Sequence, residues 1–268
     1  MGVFSILGLG FLLVAGVFAG AVFMALRGSA HLDLARVIGD AGAAIAKAPV
    51  LFCGLALVGA GLPNAAVFVS VAATPTLFDV GSALTLGLVG ALIAFAWYQF
   101  FLLAMVGATL QALGGSPRPR GVIAAALPVL PQAMLTSVIY WVTVGIGFSF
   151  FVVPGVILAC VWMLVLPVLV EERPGLFAAF GRAAKLSRGV RWQLFLLAVL
   201  GFVFGVVVQS MLGALAALLG GGVAAQIAFA LASSLLGMLP PALVASAYRQ
   251  IVTVREGPRR HELEEIFA

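Results

Sequence analysis

The chain has 268 residues, of which 64% are hydrophobic and 9% charged, with a mean hydropathy of +1.25. Soluble domains are about half apolar and about a quarter charged, so too few ionic groups remain to cover a 27.5 kDa globule, and a soluble fold is excluded. The composition implies an all-α, polytopic transmembrane helix bundle. Its net charge of +5 reads as basic flanks beside membrane spans, because no basic patch with base-stacking aromatics points to nucleic acid.

A membrane-crossing helix needs about 20 apolar residues. The first such run covers 3–26. Arg27 follows it rather than preceding it, so the run is expected to be an uncleaved span with the N-terminus outside, not a signal peptide. Next comes "HLDLARVIGDAGAAIAKAP". Leu34, Val37, Ile38, Ala41 and Ile45 recur at helical spacing, opposite Asp33, Arg36, Asp40 and Lys47. This predicts an interfacial amphipathic helix over 32–47.

A second span is expected over 49–73, bent where Pro63 removes a backbone hydrogen bond, and a third over 82–111. Gly121 to Val170 carries no charge and would extend about 75 Å as a helix, so it must hold two spans. "VVPG" at Val152 to Gly155 divides them into 122–151 and 153–170. A second interfacial helix is expected over 175–189, with Leu176, Phe177, Phe180, Ala183 and Ala184 on one face. Two more spans, 192–218 and 223–248, meet at the glycine turn "LGGG", and a tail follows over 249–268.

This count of seven spans is supported by the charges. All 14 Lys and Arg fall on one side of the membrane, in the segments after spans one, three, five and seven, while the opposite side carries Asp79. The positive-inside rule then places the N-terminus outside and the C-terminus in the cytoplasm.

The densest charge lies in "LPVLVEERPGLFAAFGRAAKLSRGVRW", Leu166 to Trp192. Together with the preceding "VVPGVILACVWM", this stretch resembles the membrane domain found ahead of some glycerophosphodiester phosphodiesterases, which also occurs alone as uncharacterised bacterial inner-membrane proteins. The resemblance rests on Pro154 and Gly155 opening a span, Pro167 near its end, Glu171 beyond it, and a basic segment with Ser187, Gly189 and Trp192. It extends from about Leu32 to the C-terminus and implies a fold and a topology, but no activity. Ala183 stands where a serine commonly precedes the basic segment, and the first span is an addition to the usual six. No catalytic phosphodiesterase domain is expected within these residues.

Chemistry-bearing constellations are sparse. "RRHELEE" lacks the second histidine of a zinc helix, since Glu265 stands four residues after His261, and the only other histidine is His31. Cys53 and Cys160 lie inside apolar runs and read as small hydrophobes. Neither a catalytic residue nor a metal or cofactor site is expected. Glu171 and Glu172 point about 100° apart on a helix, so they are expected to cap or pair with Arg173, Arg182 or Arg188 rather than flank a substrate. No Asp, Glu, Lys, Arg or His falls within a span, which disfavours a proton-coupled carrier. Asn64, Gln99, Gln132 and Gln209 form a candidate intramembrane polar cluster, with interhelical hydrogen bonding as the plainer assignment.

The expected function is therefore that of a non-enzymatic membrane protein acting through lipids or partner membrane proteins, in envelope maintenance. Arg182, Lys185, Arg188 and Arg191 are the candidate contacts to headgroups or a partner. The alternative is a carrier or channel for a small amphipathic or lipid-like solute. Oligomeric state is left open.

Overall fold

A computed structural model describes residues 32–66, 80–150 and 152–257. The expected first span at 3–26, the end of the second at 67–73, Asp79, both histidines and the tail from 258 onward lie outside these residues. Among the described residues there is no strand. Six stretches are long and apolar enough to cross a membrane: Pro49–Ala66, Val89–Gly114, Pro119–Phe150, Val153–Glu172, Arg191–Leu218 and Val223–Glu256. They correspond to expected spans two to seven, and the chain is a polytopic helical membrane bundle.

Prolines divide several of these stretches into shorter helices. In chain order the elements are α1 (Leu34–Lys47), α2 (Pro49–Ala56), α3 (Val80–Gly114), α4 (Pro119–Ala126), α5 (Leu130–Phe150), α6 (Val152–Trp162), α7 (Val165–Glu172), α8 (Leu176–Ser187), α9 (Arg191–Leu218), α10 (Val223–Leu236) and α11 (Leu239–Glu256). A π-helical turn, Leu57–Gly61, follows α2. Its cause is local. Pro63 has no N–H to offer the carbonyl four residues earlier, Gly59, and its ring crowds that carbonyl. The Trp97 indole Nε1 instead donates to the Gly59 oxygen at 2.9 Å. Pro167 acts similarly on Met163, and α6 stops at Trp162 before α7 resumes at Val165. Pro128 lies within the short 3-10 turn Leu127–Val129 between α4 and α5, and Pro131 follows in the first turn of α5.

The core is organised around the second half of α3. Phe101, Leu103 to Leu110 and Ala112 are buried there on successive positions, so this helix is covered on all sides. It packs against α1, α2, α4, α5, α7 and α11. Leu103, Val106 and Leu110 meet Val165, Val168 and Leu169 of α7 and Tyr248 and Ile251 of α11 in one cluster. Outward-facing positions remain apolar, with Leu92 64%, Trp141 64% and Phe202 72% exposed, as a surface solvated by lipid requires.

The two amphipathic helices form as expected, but their apolar stripes are covered by protein. Asp33 caps α1, its Oδ1 accepting from the N–H groups of Ala35 and Arg36 at 3.0 and 3.2 Å. Val37, Ala41 and Ala44 are then buried, and α1 packs on α3 and α11. In α8 the buried face is Ala179, Phe180, Ala183, Leu186 and Ser187, packed on α6 and α7. Phe180 meets the Trp162 ring edge-on, with centroids 4.9 Å apart. The apolar stripes of both helices therefore rest on neighbouring helices of this chain. Amphipathic periodicity marks a face that must leave water, and lipid or protein satisfies it equally. Ile38 and Phe177, on the flanks of those stripes, do remain exposed.

Candidate functional site at the charged end of the bundle

α7 ends at Glu171 and Glu172, and Arg173 closes it with a left-handed backbone (φ 49°), turning the chain through Pro174 and Gly175 into α8. That reversal aims α8 back across α7. The Arg182 Nε donates to both Glu172 oxygens at 2.8 and 3.1 Å, while its terminal nitrogen reaches Glu256 at the end of α11. The Tyr248 hydroxyl donates to Glu172 at 2.9 Å. Glu171, one residue earlier and turned to the next face, pairs with Arg249 at 3.5 Å. Hydrogen bonding to Glu172 and Glu256 holds the Arg182 guanidinium protonated well above the ordinary arginine range.

Further bonds fasten the same end. Arg255 donates to the Lys185 carbonyl at 3.0 Å and to the Arg188 carbonyl, capping the end of α8. Lys47 Nζ donates to the Ala112 carbonyl at 2.8 Å, near the C-terminus of α3, where a cation is favoured. Gln132 Nε2 donates to the Pro174 carbonyl at 2.5 Å. These contacts gather charges from α1, α7, α8 and α11 at one end of the bundle.

Of the four basic residues expected to face headgroups or a partner, Lys185, Arg188 and Arg191 are exposed. Arg182 is not available in the same way. Its two carboxylate partners come from α7 and α11, and its side chain is 30% exposed. The four polar residues proposed as a cluster do not converge. Gln99 is buried and its Oε1 accepts from the Ser137 hydroxyl at 2.9 Å, Gln132 serves Pro174, and Asn64 and Gln209 lie exposed on the outside. A bundle apolar on every face gives no periodicity from which to read the direction of each glutamine.

The motif residues have separate roles. Gly155 is buried where α5 and α6 cross, and a Cβ there would fall 2.5 Å from the Phe148 ring. Pro167 is buried in α7, whereas Pro154 is exposed. Ser187 is buried and its hydroxyl donates to the Ala184 carbonyl at 3.2 Å. Gly189 takes a left-handed φ of 79° in the turn before α9. Trp192 is 42% exposed and, with Arg191, borders a cavity of about 260 Å³ between α6 and α9. Val153, Val156, Ile157, Cys160 and Phe195 complete its lining.

Sequence reasoning did not find Tyr248, Arg249, Arg255 or Glu256. Tyr248 and Glu256 stand eight residues apart, two turns along one helix, and both reach the Glu172–Arg182 pair. That spacing gains meaning only once the partner is in view. Among the described residues no group of three or more His, Cys, Asp or Glu converges as a metal site would require.

Over 91 residues the chain is 34% identical to a UPF0259 membrane protein of Yersinia pestis (strain Pestoides F), a match covering 32% of this chain and 32% of that relative. Proteins of the same name from Yersinia pseudotuberculosis, serotype O:3 (strain YPIII) and serotype IB (strain PB1/+), match to the same extent. The relation is partial. The chain spans about a third of the length of the curated relatives it matches. No family model and no solved structure matches it. The similarity supports kinship with an uncharacterised membrane-protein family, and the shared name states a membrane location and no activity. It does not carry the glycerophosphodiester phosphodiesterase label, which rests on the residue pattern alone.

Proposed function

We propose that this is a non-enzymatic inner-membrane protein that works by binding lipid or a partner protein at its charged end. Envelope maintenance is the setting this reading implies, and the resemblance to the membrane domains of glycerophosphodiester phosphodiesterases accords with it. The positive-inside distribution supports a cytoplasmic location for that end and for the C-terminus.

The observation that carries the reading is the division of labour among the basic residues. Arg182 and Arg249 are tied to carboxylates, and Arg255 caps α8. Lys185, Arg188 and Arg191 instead remain exposed on a frame fastened by those ties, and Arg191 borders an apolar cavity that opens on the outer surface. Preorganised cations next to exposed apolar walls suit an amphiphile or a membrane-associated partner.

The test is to extract the full chain from bacterial membranes in a mild detergent and identify what stays bound. One lipid class enriched over its share of the bulk membrane, or one partner recovered in stoichiometric amount, is the expected result. Neither enrichment, together with uptake of an amphipathic solute by proteoliposomes, overturns the reading in favour of a carrier.

A further inference from the structure

We infer that the groove between α6 and the first turns of α9 seats an acyl chain of an anionic phospholipid, with the Arg191 guanidinium on its phosphate. This deepens the lipid-binding reading above and rests on it.

The walls define the occupant. Val153, Val156, Ile157 and Cys160 recur at the spacing of one helical face, and Trp192 and Phe195 stand opposite with their rings edge-on at 6.0 Å. Its volume of about 260 Å³ is far above the roughly 30 Å³ of a water molecule, so it is no packing defect. Water would find almost no hydrogen-bond partner along these side chains. A narrow hydrocarbon chain fits both the size and the chemistry. Val153, Ile157 and Trp192 are 59%, 46% and 42% exposed, so the groove opens sideways and a lipid can enter from the bilayer.

Charge selects the headgroup. Arg191 lines the groove, is exposed, and among the described residues has no carboxylate within ion-pair distance. Exposed Arg188 precedes it across the Gly189 turn. The Arg191 cation, with Arg188 close by in the chain, favours a phosphate with net negative charge over a headgroup carrying its own ammonium. The planar guanidinium, moreover, matches phosphate oxygens two at a time. Trp192 places an amphipathic ring beside the phosphate, the position such rings take at a membrane interface. A partner helix would need an apolar strip several turns long on both walls. Here α9 supplies little more than one turn, from Arg191 to Phe195.

The test uses the full chain in nanodiscs of mixed phosphatidylglycerol and phosphatidylcholine, with retained lipid counted by mass spectrometry after transfer to detergent. Arg191→Gln is expected to lower phosphatidylglycerol retention about tenfold, the loss of one charge-assisted contact, and to leave phosphatidylcholine unchanged. Val156→Trp, which fills the groove, is expected to lower retention of phosphatidylglycerol as well, and Arg120→Gln to alter nothing. A second measurement does not depend on the filled variant folding. Brominated phosphatidylglycerol should quench tryptophan fluorescence more than brominated phosphatidylcholine does, and that excess should vanish in Trp192→Phe and in Arg191→Gln. Enrichment of phosphatidylglycerol that both groove variants retain undiminished overturns this site and leaves lipid binding elsewhere intact. A full chain that enriches no lipid, with equal quenching by the two brominated lipids, overturns the site and the lipid half of the proposed function together.

Discussion

Arg182 and Glu172 meet at 2.8 Å between two helices that run back on one another, and Tyr248 and Glu256 of a third helix bind the same pair. Three elements are thus locked by one ion-paired cluster. Its side chains are 30% and 23% exposed, so solvent screens part of the attraction, and removing Arg182 should cost about 1–2 kcal/mol. Arg182→Gln is expected to lower the apparent Tm of the detergent-solubilised chain. Arg36→Gln, on an exposed position of α1, should leave it unchanged.

The same pair makes a pH prediction. The Arg182 folded-state value is raised above its ordinary one, so its contribution is fully present below the ordinary arginine range and is lost only at still higher pH. The stability gap between the full chain and Arg182→Gln should therefore stay constant from about pH 7 to about pH 10. Thermal unfolding across that range checks it. A gap that closes toward the alkaline end would mean the guanidinium is not held as described.

Where α5 and α6 cross, a Cβ on Gly147 would fall 3.0 Å from the Gly155 Cα, which is backbone and cannot rotate away. Gly147→Val should overpack the hairpin by about 1–3 kcal/mol. Gly145→Ala, two residues earlier, meets nothing within 4 Å and should be neutral. Yield of monodisperse protein and apparent Tm compare the two.

Gln99 and Ser137 share a buried hydrogen bond of 2.9 Å between α3 and α5. Such bonds inside membrane proteins average about 0.6 kcal/mol and reach about 1.7 kcal/mol in double-mutant cycles. A cycle of Gln99→Leu and Ser137→Ala should give a coupling in that range. The pair Gln209→Leu and Ser137→Ala should be additive, because Gln209 faces outward.

Orientation can be tested directly. With Cys53 and Cys160 replaced by serine, Lys185→Cys should react with a membrane-impermeant maleimide only from the inner face of oriented vesicles. Gly221→Cys, in the glycine turn between α9 and α10, should react only from the outer face. Labelling of both from one side would overturn the topology.

Much of this was legible from the residues in order. The apolar runs located the six described spans, and "VVPG" and "LGGG" marked breaks that the helices respect, since α5 ends at Phe150 and α10 starts at Val223. Glu171 and Glu172 were expected to find basic partners, and Arg182 is one of them. These features are encoded locally. Hydrocarbon thickness sets how long a run must be, and proline or glycine interrupts it wherever it stands.

What the order of residues by itself determined is thus the class of the protein, the described stretches long and apolar enough to cross a membrane, and the charge of the connecting segments. Only the tertiary structure decided what covers the apolar stripes of α1 and α8, which glutamine turns inward, and that Glu256 closes on Arg182 from 74 positions away. The physical reason is rotational. A helix apolar on every face can turn about its axis without altering its fit to lipid, so its side-chain pattern cannot announce its neighbours. Packing between helices fixes that rotation, and with it the polar contacts and the groove beside Arg191.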